Sequence, residues 1–211
     1  MGDTEEPDML LRQAQAGDGQ TLGRLIDRYR DRLSGMIRLR LDRRLRGRYS
    51  SSAILEEVAR EAGRRLPEYP SRAEETFFLW LRKLTGEVIQ ALHQQHLGSG
   101  DVVQEVSLYR GALPEMNSVS LAAQLLGHMT QAGQAASRAE MQIRLQATLN
   151  SLDPLDREIL ALCHFEDLSN AEAAVVLGVD KATATRHYVR AFKRLKEILT
   201  SIPGFLGSPD A

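Results

Sequence analysis

The stretch of sequence that decides the fold is SNAEAAVVLGVDKATATRHYVRAFKRLK, residues 169–196. Ser169 and Glu172 form a capping-box pattern, which predicts that a helix begins at this point. Gly178 supplies the backbone freedom for a sharp turn at the end of that helix. Asp180 is a good N-cap for a second helix. The stretch therefore predicts two helices joined by a tight turn, a helix-turn-helix.

The second helix of this stretch separates apolar from cationic side chains. Its apolar residues recur at spacings of four, three and four, as expected for one stripe that packs inward. They are Ala184, Tyr188, Ala191 and Leu195. The opposite side of the helix and its flanks are expected to face outward. The outward residues are Lys181, Thr183, Arg186, His187, Arg190, Lys193 and Arg194.

The charge of this helix indicates a nucleic-acid partner. Residues 181–196 contain six lysines and arginines and no acidic residue. Such segregation does nothing for folding, but it favours phosphate contact through counterion release. Side chains from the start of such a helix also reach base edges in the major groove. The alternative is a helical hairpin whose charged face is only solvated, and the charge segregation argues against it.

Composition and length suit a cytoplasmic protein with two small domains. The 211 residues, 43% of them hydrophobic, suffice for a core in each domain. The net charge of −1 does not suggest a nucleic-acid protein, so that indication is local. The N-terminus is acidic where a signal peptide is basic, and no apolar run approaches the ~20 residues of a membrane span. We therefore expect a cytoplasmic location and no membrane contact.

The sequence carries no sign of enzyme or metal chemistry. Cys163 is the only cysteine, which excludes an intrachain disulfide and a Cys-rich metal site. The five histidines form no metal-ligand cluster, and there is no phosphate-binding glycine loop or assembled nucleophile. We expect a protein that is not an enzyme, with no catalytic residue, cofactor or metal.

Helical spacing recurs in most segments and strand alternation is almost absent, which predicts an all-α protein. We expect two small helical domains, at 1–97 and 138–202, joined by a flexible linker at 98–137 and followed by a tail at 203–211. The predicted helices of the first domain are 9–16, 20–45, 52–66 and 74–97. Those of the second are 138–151, 154–164, 170–177 and 181–201.

The first domain has an arginine-rich stretch. Six arginines fall within residues 38–48, against the lone acidic Asp42. Too many faces of a helix would be charged for this stretch to be buried. A solvated helix end and a surface for nucleic acid or an acidic protein both remain open at this point.

Several motifs resemble the extracytoplasmic-function (ECF) class of bacterial sigma factors. The resemblance is strongest at LNSLDPLDREIL, residues 149–160, followed by LSNAEA at 168–173, LGV at 177–179 and RAFKRL at 190–195. These motifs are similar to the fourth conserved region of the family, which reads the promoter element near −35. In this setting we assign base reading to Thr183, Arg186 and Arg190. Phosphate contacts fall to Lys181, Lys193 and Arg194, and His187 suits either role.

The first domain is similar to the second conserved region of these sigma factors, which docks on core RNA polymerase and melts the promoter element near −10. The matching motifs are LLRQAQAGD at 10–18, LIDRY at 25–29, PEYP at 67–70 and FLWL at 78–81. The resemblance implies polymerase contacts at Ile54, Leu55, Glu56 and Glu57. It implies contacts with −10 DNA at Trp80, Lys83, Glu87, Gln94 and Gln95. Trp80, next to Phe77 and Phe78, fits a core position better than a base-stacking platform.

The chain departs from the family pattern in its charges. Many relatives have two acids just before the apolar pair of the docking helix, where this chain has Ser50 and Ala53. Relatives often have an asparagine, an aspartate and two arginines on the promoter-facing helix. This chain has Glu87, Ala91, Gln94 and Gln95 there. The motif DVVQE at 101–105 imitates the docking motif but follows that helix, so we treat it as a decoy.

The missing acids suggest a regulatory hypothesis. Ser50, Ser51 and Ser52 stand at the N-terminal end of the docking helix, where the helix dipole favours added negative charge. Phosphorylation by a kinase would restore the acidic character. The alternative is that Ser51 or Ser52 is only an N-cap. An anti-sigma factor is the other candidate regulator.

The expected function is a sigma factor that binds core RNA polymerase, double-stranded promoter DNA and the melted −10 strand, and so directs transcription initiation. One alternative is a two-domain helix-turn-helix regulator, although a repressor would need no second-region pattern and would bind a palindrome without polymerase. The other is a sigma-like protein that has lost promoter melting, which the substitutions at 87–95 permit.

Overall fold

The computed structural model describes residues 5–69, 76–101, 121–123 and 135–201. Its regular elements in this part of the chain are all helical, which confirms the predicted all-α class. The chain divides into two compact units, Met1–Pro114 and Glu115–Ala211. The helices of unit 1 are α1 (Glu5–Gln15), α2 (Gly19–Arg28), α3 (Arg30–Arg40), α4 (Ser51–Arg65) and α5 (Phe77–Asp101). Those of unit 2 are α6 (Ala135–Ser151), α7 (Pro154–Phe165), α8 (Asn170–Leu177) and α9 (Lys181–Ser201).

The predicted helix at 20–45 is two helices followed by a series of turns. Tyr29 leaves the helical conformation, with φ −104° and ψ 6°, and so separates α2 from α3. Leu41 is extended and ends α3. Residues 43–48 then form turns that return Leu45 to the core, where it is 4% exposed. The helix prediction was wrong here because burial of Leu45 outweighs the helical propensity of the arginines around it.

The predicted linker and tail fall mostly outside the described residues. Helix α5 continues to Asp101, four residues past the predicted end at 97. Residues 121–123 are helical, and Leu121 and Ala122 are fully buried, so this piece of the expected linker is packed. The tail at 203–211 and the last four residues of the DVVQE motif are not described.

The core of unit 1 forms where α4 and α5 pack on each other and on α3. Leu33, Ile37, Ile54 and Leu81 contribute fully buried side chains. An aromatic cluster borders this core, because Tyr69 meets Phe77 and Trp80 edge-on at ring-centroid distances of 5.7 and 5.2 Å. Such edge-to-face pairs add to the free energy gained by burial alone.

The core of unit 2 forms around α9, which packs on α6, α7 and α8. Ala184, Ala191 and Leu195 of the predicted stripe are buried, while Tyr188 is half-buried. Two alanines on the inner face let α9 approach its neighbours closely, and Ile159 and Leu162 of α7 fill the interior. No helix in the described ranges is long and apolar enough to cross a bilayer.

Candidate nucleic-acid interface

The ends of α8 and α9 are formed by the capping and turn residues that the sequence analysis singled out. The Ser169 hydroxyl accepts from the Glu172 amide, and the Glu172 carboxylate accepts from the Ser169 amide, at 3.2 and 2.9 Å. Gly178 ends α8 in the left-handed region, with φ +65°. Asp180 caps α9 by accepting from the Thr183 amide at 2.8 Å. These hydrogen bonds confirm the predicted helix-turn-helix, and hydrogen bonding from Thr183 lowers the pKa of Asp180.

A buried carboxylate on α7 holds one flank of α9. Asp156, whose side chain is only 5% exposed, accepts from Nε and Nη2 of Arg190 at 2.6 and 2.7 Å. His187 Nδ1 lies 2.7 Å from the same carboxylate. The bidentate, charge-assisted contact raises the pKa of Arg190. His187 and Arg190, both expected to contact DNA, are therefore tied to α7 in the free protein.

The outward surface of α9 is rotated relative to the expected one. It is lined by Lys181, Ala182, Thr185, Arg186, Val189, Arg190 and Lys193. Thr183 turns back to its cap, because its hydroxyl donates to Asp180 Oδ2 at 2.7 Å. Sequence reasoning missed Ala182, Thr185 and Val189, which show no signal because they are uncharged and break the cationic pattern. Lys181, Arg186 and Lys193 lie on this surface as predicted, and Arg194 is exposed on its flank.

An aromatic stack occupies the other flank of α9. The ring of His164, at the end of α7, stacks on Tyr188 and Phe192 at centroid distances of 5.5 and 5.8 Å. Burial lowers the pKa of His164, and it raises the pKa of the neighbouring Cys163 thiol to about 11. The stack and the Asp156 network thus fix the rotation of α9 from both sides.

Among the described residues, Asp153, Asp156 and His187 are close enough together to suggest a metal site. The Arg190 guanidinium already engages both oxygens of Asp156. A guanidinium at that position would repel a cation, so the arrangement is an ion-pair network rather than a metal centre.

In unit 1, the residues expected at −10 DNA have different surroundings along α5. Lys83, Gln94 and Gln95 are exposed. Glu87 accepts from Arg65 Nη1 at 2.6 Å, in a groove between α4 and α5. Trp80 is half-buried in the cluster with Tyr69 and Phe77. Trp80 therefore packs as a core residue, and Glu87 is held by an ion pair within the unit.

The geometry of unit 2 agrees with a known family. Residues 142–195 match the family model of sigma-70 region 4, from the second turn of α6 well into α9. Unit 2 carries a sigma-70 region 4 domain. The four motifs of the second domain, at 149–160, 168–173, 177–179 and 190–195, all fall within this match.

The fold of the chain has counterparts among solved structures. A structure of CnrH in complex with the cytosolic domain of CnrY matches with a TM-score of 0.54 and 18% identity, over 92% of this chain and 96% of the matched chain. A structure of the RsbN–BldN complex matches with a TM-score of 0.33 and 19% identity, over 89% and 98%. No curated protein matches the sequence. The chain thus combines a sigma-70 region 4 domain at residues 142–195 with a fold similar to that of CnrH.

Helix α4, the helix predicted to dock on polymerase, places its four predicted contact residues on different sides. Ile54 and Leu55 are 1% and 3% exposed, so they pack into the core and are not available as a contact surface. Glu56 is exposed, and Glu57 is half-buried and paired with Arg60. The expectation that Ile54 and Leu55 contact polymerase directly is thus at odds with their burial in the free unit.

The three serines at the start of α4 have different positions relative to the end of the helix. Ser50 is the N-cap, since its hydroxyl accepts from the Ala53 amide at 3.1 Å. The cap falls one residue before the two serines considered for it, because the helix begins at Ser51. Ser51 and Ser52 occupy the first turn, and Ser52 is exposed. A charge on either would face the positive end of the helix dipole.

Proposed function

We propose that this chain is a sigma factor of the ECF class, which binds core RNA polymerase through unit 1 and inserts α9 into the major groove of a −35 promoter element. The observation that carries the proposal is the outward surface of α9, where Lys181, Arg186 and Lys193 surround Thr185 and Val189. Cations near a groove contact phosphates, while the methyl groups of Thr185 and Val189 suit the thymine methyl. The Thr185 hydroxyl donates to the Lys181 carbonyl at 2.8 Å, so the methyl is the group that this residue offers to a base. We therefore add Thr185 and Val189 to Arg186 as base readers.

The Asp156 network changes the roles proposed for His187 and Arg190. A guanidinium that is tied to a buried carboxylate orients α9 and leaves its outer edge for phosphate contact. We assign Arg190 and His187 to positioning the helix, with Lys181, Lys193 and Arg194 as phosphate contacts. Thr183 serves mainly as the partner of its cap, Asp180.

Transcription with purified core polymerase tests the proposal. We expect specific run-off transcripts from a genomic promoter, and their loss in R186A/K193A, which removes two cations from the outward surface of α9. The matched control is R24A/R28A, which removes the same charge from exposed positions on α2. Equal activity of the two double variants would contradict the assignment of α9, and a polymerase-independent complex on a palindrome would instead favour a helix-turn-helix regulator.

A sigma-like protein without promoter melting is the second candidate function. It is favoured by α5, where Trp80 is packed, Glu87 is paired, and the sequence from 84 to 101 contains no lysine or arginine. Pre-melted promoter templates separate the two functions. Transcription from a pre-melted −10 element, with none from the duplex, would establish the loss of melting.

Regulation is proposed on two grounds. Ser51 and Ser52 lie at the N-terminus of α4, where phosphate groups would supply the acidic character that docking helices of relatives carry. S51D/S52D is expected to bind polymerase more tightly than the parent, with S51A/S52A as its control, and equal affinities would argue against a kinase switch.

CnrH is seen in complex with the cytosolic domain of CnrY. We propose that this chain also binds a protein partner, an anti-sigma factor, and that it acts in the cytoplasm.

A further inference from the structure

The segment at residues 42–48, here called the arginine turn, presents a concentrated positive charge on unit 1. Its exposed side chains include Arg43, Arg44, Arg46 and Arg48, and Arg38 is exposed just before it on α3. Asp42 is the only acidic residue in the turn and pairs with Arg44, Nε to Oδ1, at 3.2 Å. Several like charges held together on a surface favour an anionic partner.

The arginine turn has a defined backbone structure. Leu45 N donates to Asp42 O at 3.0 Å, and the amides of Arg48 and Tyr49 both donate to Leu45 O at 2.9 Å. The Leu45 side chain is buried beneath these turns. The arginines therefore stand on a preorganised support, which lowers the entropic cost of binding a partner.

Two histidines fasten the arginine turn to the C-terminal half of α5. His93 Nε2 accepts from the Asp42 amide at 3.0 Å, at the start of the turn. The Tyr49 hydroxyl lies 2.6 Å from His96 Nε2, just after its end. The sequence neighbours of these histidines are Gln94 and Gln95, which are exposed and which the family pattern places at −10 DNA. The turn and these glutamines thus belong to one region of unit 1.

Helix α5 itself offers little charge to hold a DNA strand. Its last lysine or arginine is Lys83, and residues 84–101 contain none. Phosphate contacts supply most of the affinity of proteins for nucleic acid, whereas amide side chains such as glutamine add specificity. A strand that lies along Gln94 and Gln95 therefore needs cations from another segment of the unit.

We propose that the arginine turn binds the phosphate backbone of the DNA strand that lies along the C-terminal half of α5. The inference depends on the proposed function only in taking α5 as the helix that receives the −10 strand. Guanidinium groups suit this partner because they form bidentate hydrogen bonds with phosphate. The turn thereby replaces the arginines that relatives often carry on the promoter-facing helix.

The exposed residues of the turn favour nucleic acid over an acidic protein. A protein interface derives most of its affinity from a buried apolar or aromatic centre, and charges at its rim contribute little. The only apolar side chain of residues 42–48 is Leu45, which is buried. A phosphate backbone is bound by charge alone, so it needs no such centre.

The test measures how salt weakens binding of the full chain to a labelled single-stranded oligonucleotide, by fluorescence anisotropy. All proteins carry R186A/K193A, so that α9 contributes little. We expect R43A/R48A to reduce the slope of log affinity against log salt by about 1.4, the value for two lost phosphate contacts on a single strand. The control R24A/R28A removes the same charge elsewhere in unit 1 and should retain the slope, as should R43K/R48K.

Equal slopes for R43A/R48A and R24A/R28A would overturn the inference. So would competition by polyglutamate as strong as that by DNA of equal charge, because it would indicate an acidic protein partner. Unchanged Trp80 fluorescence and an unchanged denaturation midpoint show that the variants are folded. If R43A/R48A does not fold, R43Q/R48Q takes its place in the test. Run-off transcription by the parent chain separates this inference from the proposed function. If the parent gives no specific transcript but the salt slope still depends on Arg43 and Arg48, only the proposed function is refuted.

Discussion

Asp156 binds Arg190 across α7 and α9 through two parallel contacts, of 2.6 and 2.7 Å, although the residues are 34 positions apart. The Asp156 side chain is buried, whereas the Arg190 side chain is 54% exposed. The pair therefore orients α9, the helix proposed to contact DNA, from the α7 side and leaves its outer surface accessible.

The first prediction concerns this pair. D156A removes the shared partner of Arg190 and His187, and we expect unit 2 to lose about 1–2 kcal/mol of unfolding free energy, because solvent compensates the exposed guanidinium in part. Trp80 is the only tryptophan and lies in unit 1, so its fluorescence reports that unit alone. In D156A, the denaturation midpoint of unit 2, followed by circular dichroism, should move to lower denaturant concentration. The midpoint followed by Trp80 fluorescence should stay unchanged. A shift in neither signal would show that the pair does not stabilise unit 2.

The second prediction separates the core of α4 from its surface. I54A removes a fully buried side chain and should cost about 2–5 kcal/mol, which unfolds unit 1 at mild denaturant concentrations. E56Q removes an exposed charge, and the unfolding free energy of unit 1, followed by Trp80 fluorescence, should stay within about 0.5 kcal/mol of that of the parent. Polymerase pull-down then assigns the roles: weaker binding by folded E56Q supports docking through Glu56, and unchanged binding argues against it.

The third prediction is a pH dependence of unit 1. Burial lowers the pKa of His93, whose Nε2 accepts from the Asp42 amide and so must be unprotonated. The unfolded histidine binds a proton near pH 6.5, above the folded value. Its contribution to stability is thus complete above about pH 6.5 and is lost as pH falls through the lowered folded pKa. The Trp80 transition should move to lower denaturant between pH 7.5 and 5.5.

H93Q is the matched variant for this pH experiment. Glutamine keeps an acceptor oxygen but does not titrate, so the pH dependence of the Trp80 transition should flatten. If H93Q keeps the full dependence of the parent, another group of unit 1 is responsible.

The fourth prediction concerns Cys163, the only cysteine. Burial raises the pKa of its thiol to about 11, so little thiolate is present near pH 8. Iodoacetamide should label the native protein at least tenfold more slowly than the urea-unfolded chain. In D156A the labelling should accelerate, since a less stable unit 2 opens more often. Rapid labelling of the native parent would contradict the burial of this thiol.

Much of unit 2 was predictable because its signals are local. The Ser169–Glu172 capping box, Gly178 and the Asp180 cap act over at most three residues, and the structure has them as expected. The same reasoning failed at 41–45, where burial of Leu45 and a hydrogen bond to His93, 51 residues from Asp42, end the helix. It also missed Thr185 and Val189, because helical spacing alone does not show which flank of α9 a neighbouring helix covers.

The sequence by itself determined the helical class, the helix-turn-helix and the segregation of charge onto α9, since these follow from propensities, caps and spacings within a few residues. Only the tertiary structure decided which charged side chains are engaged within the protein, because Asp156 binds Arg190 and His187 and Arg65 binds Glu87. It also decided that Ile54 is core and that the arginine turn rests on α5. Ion pairs and burial between residues tens of positions apart depend on how helices pack, which spacing along one helix does not encode.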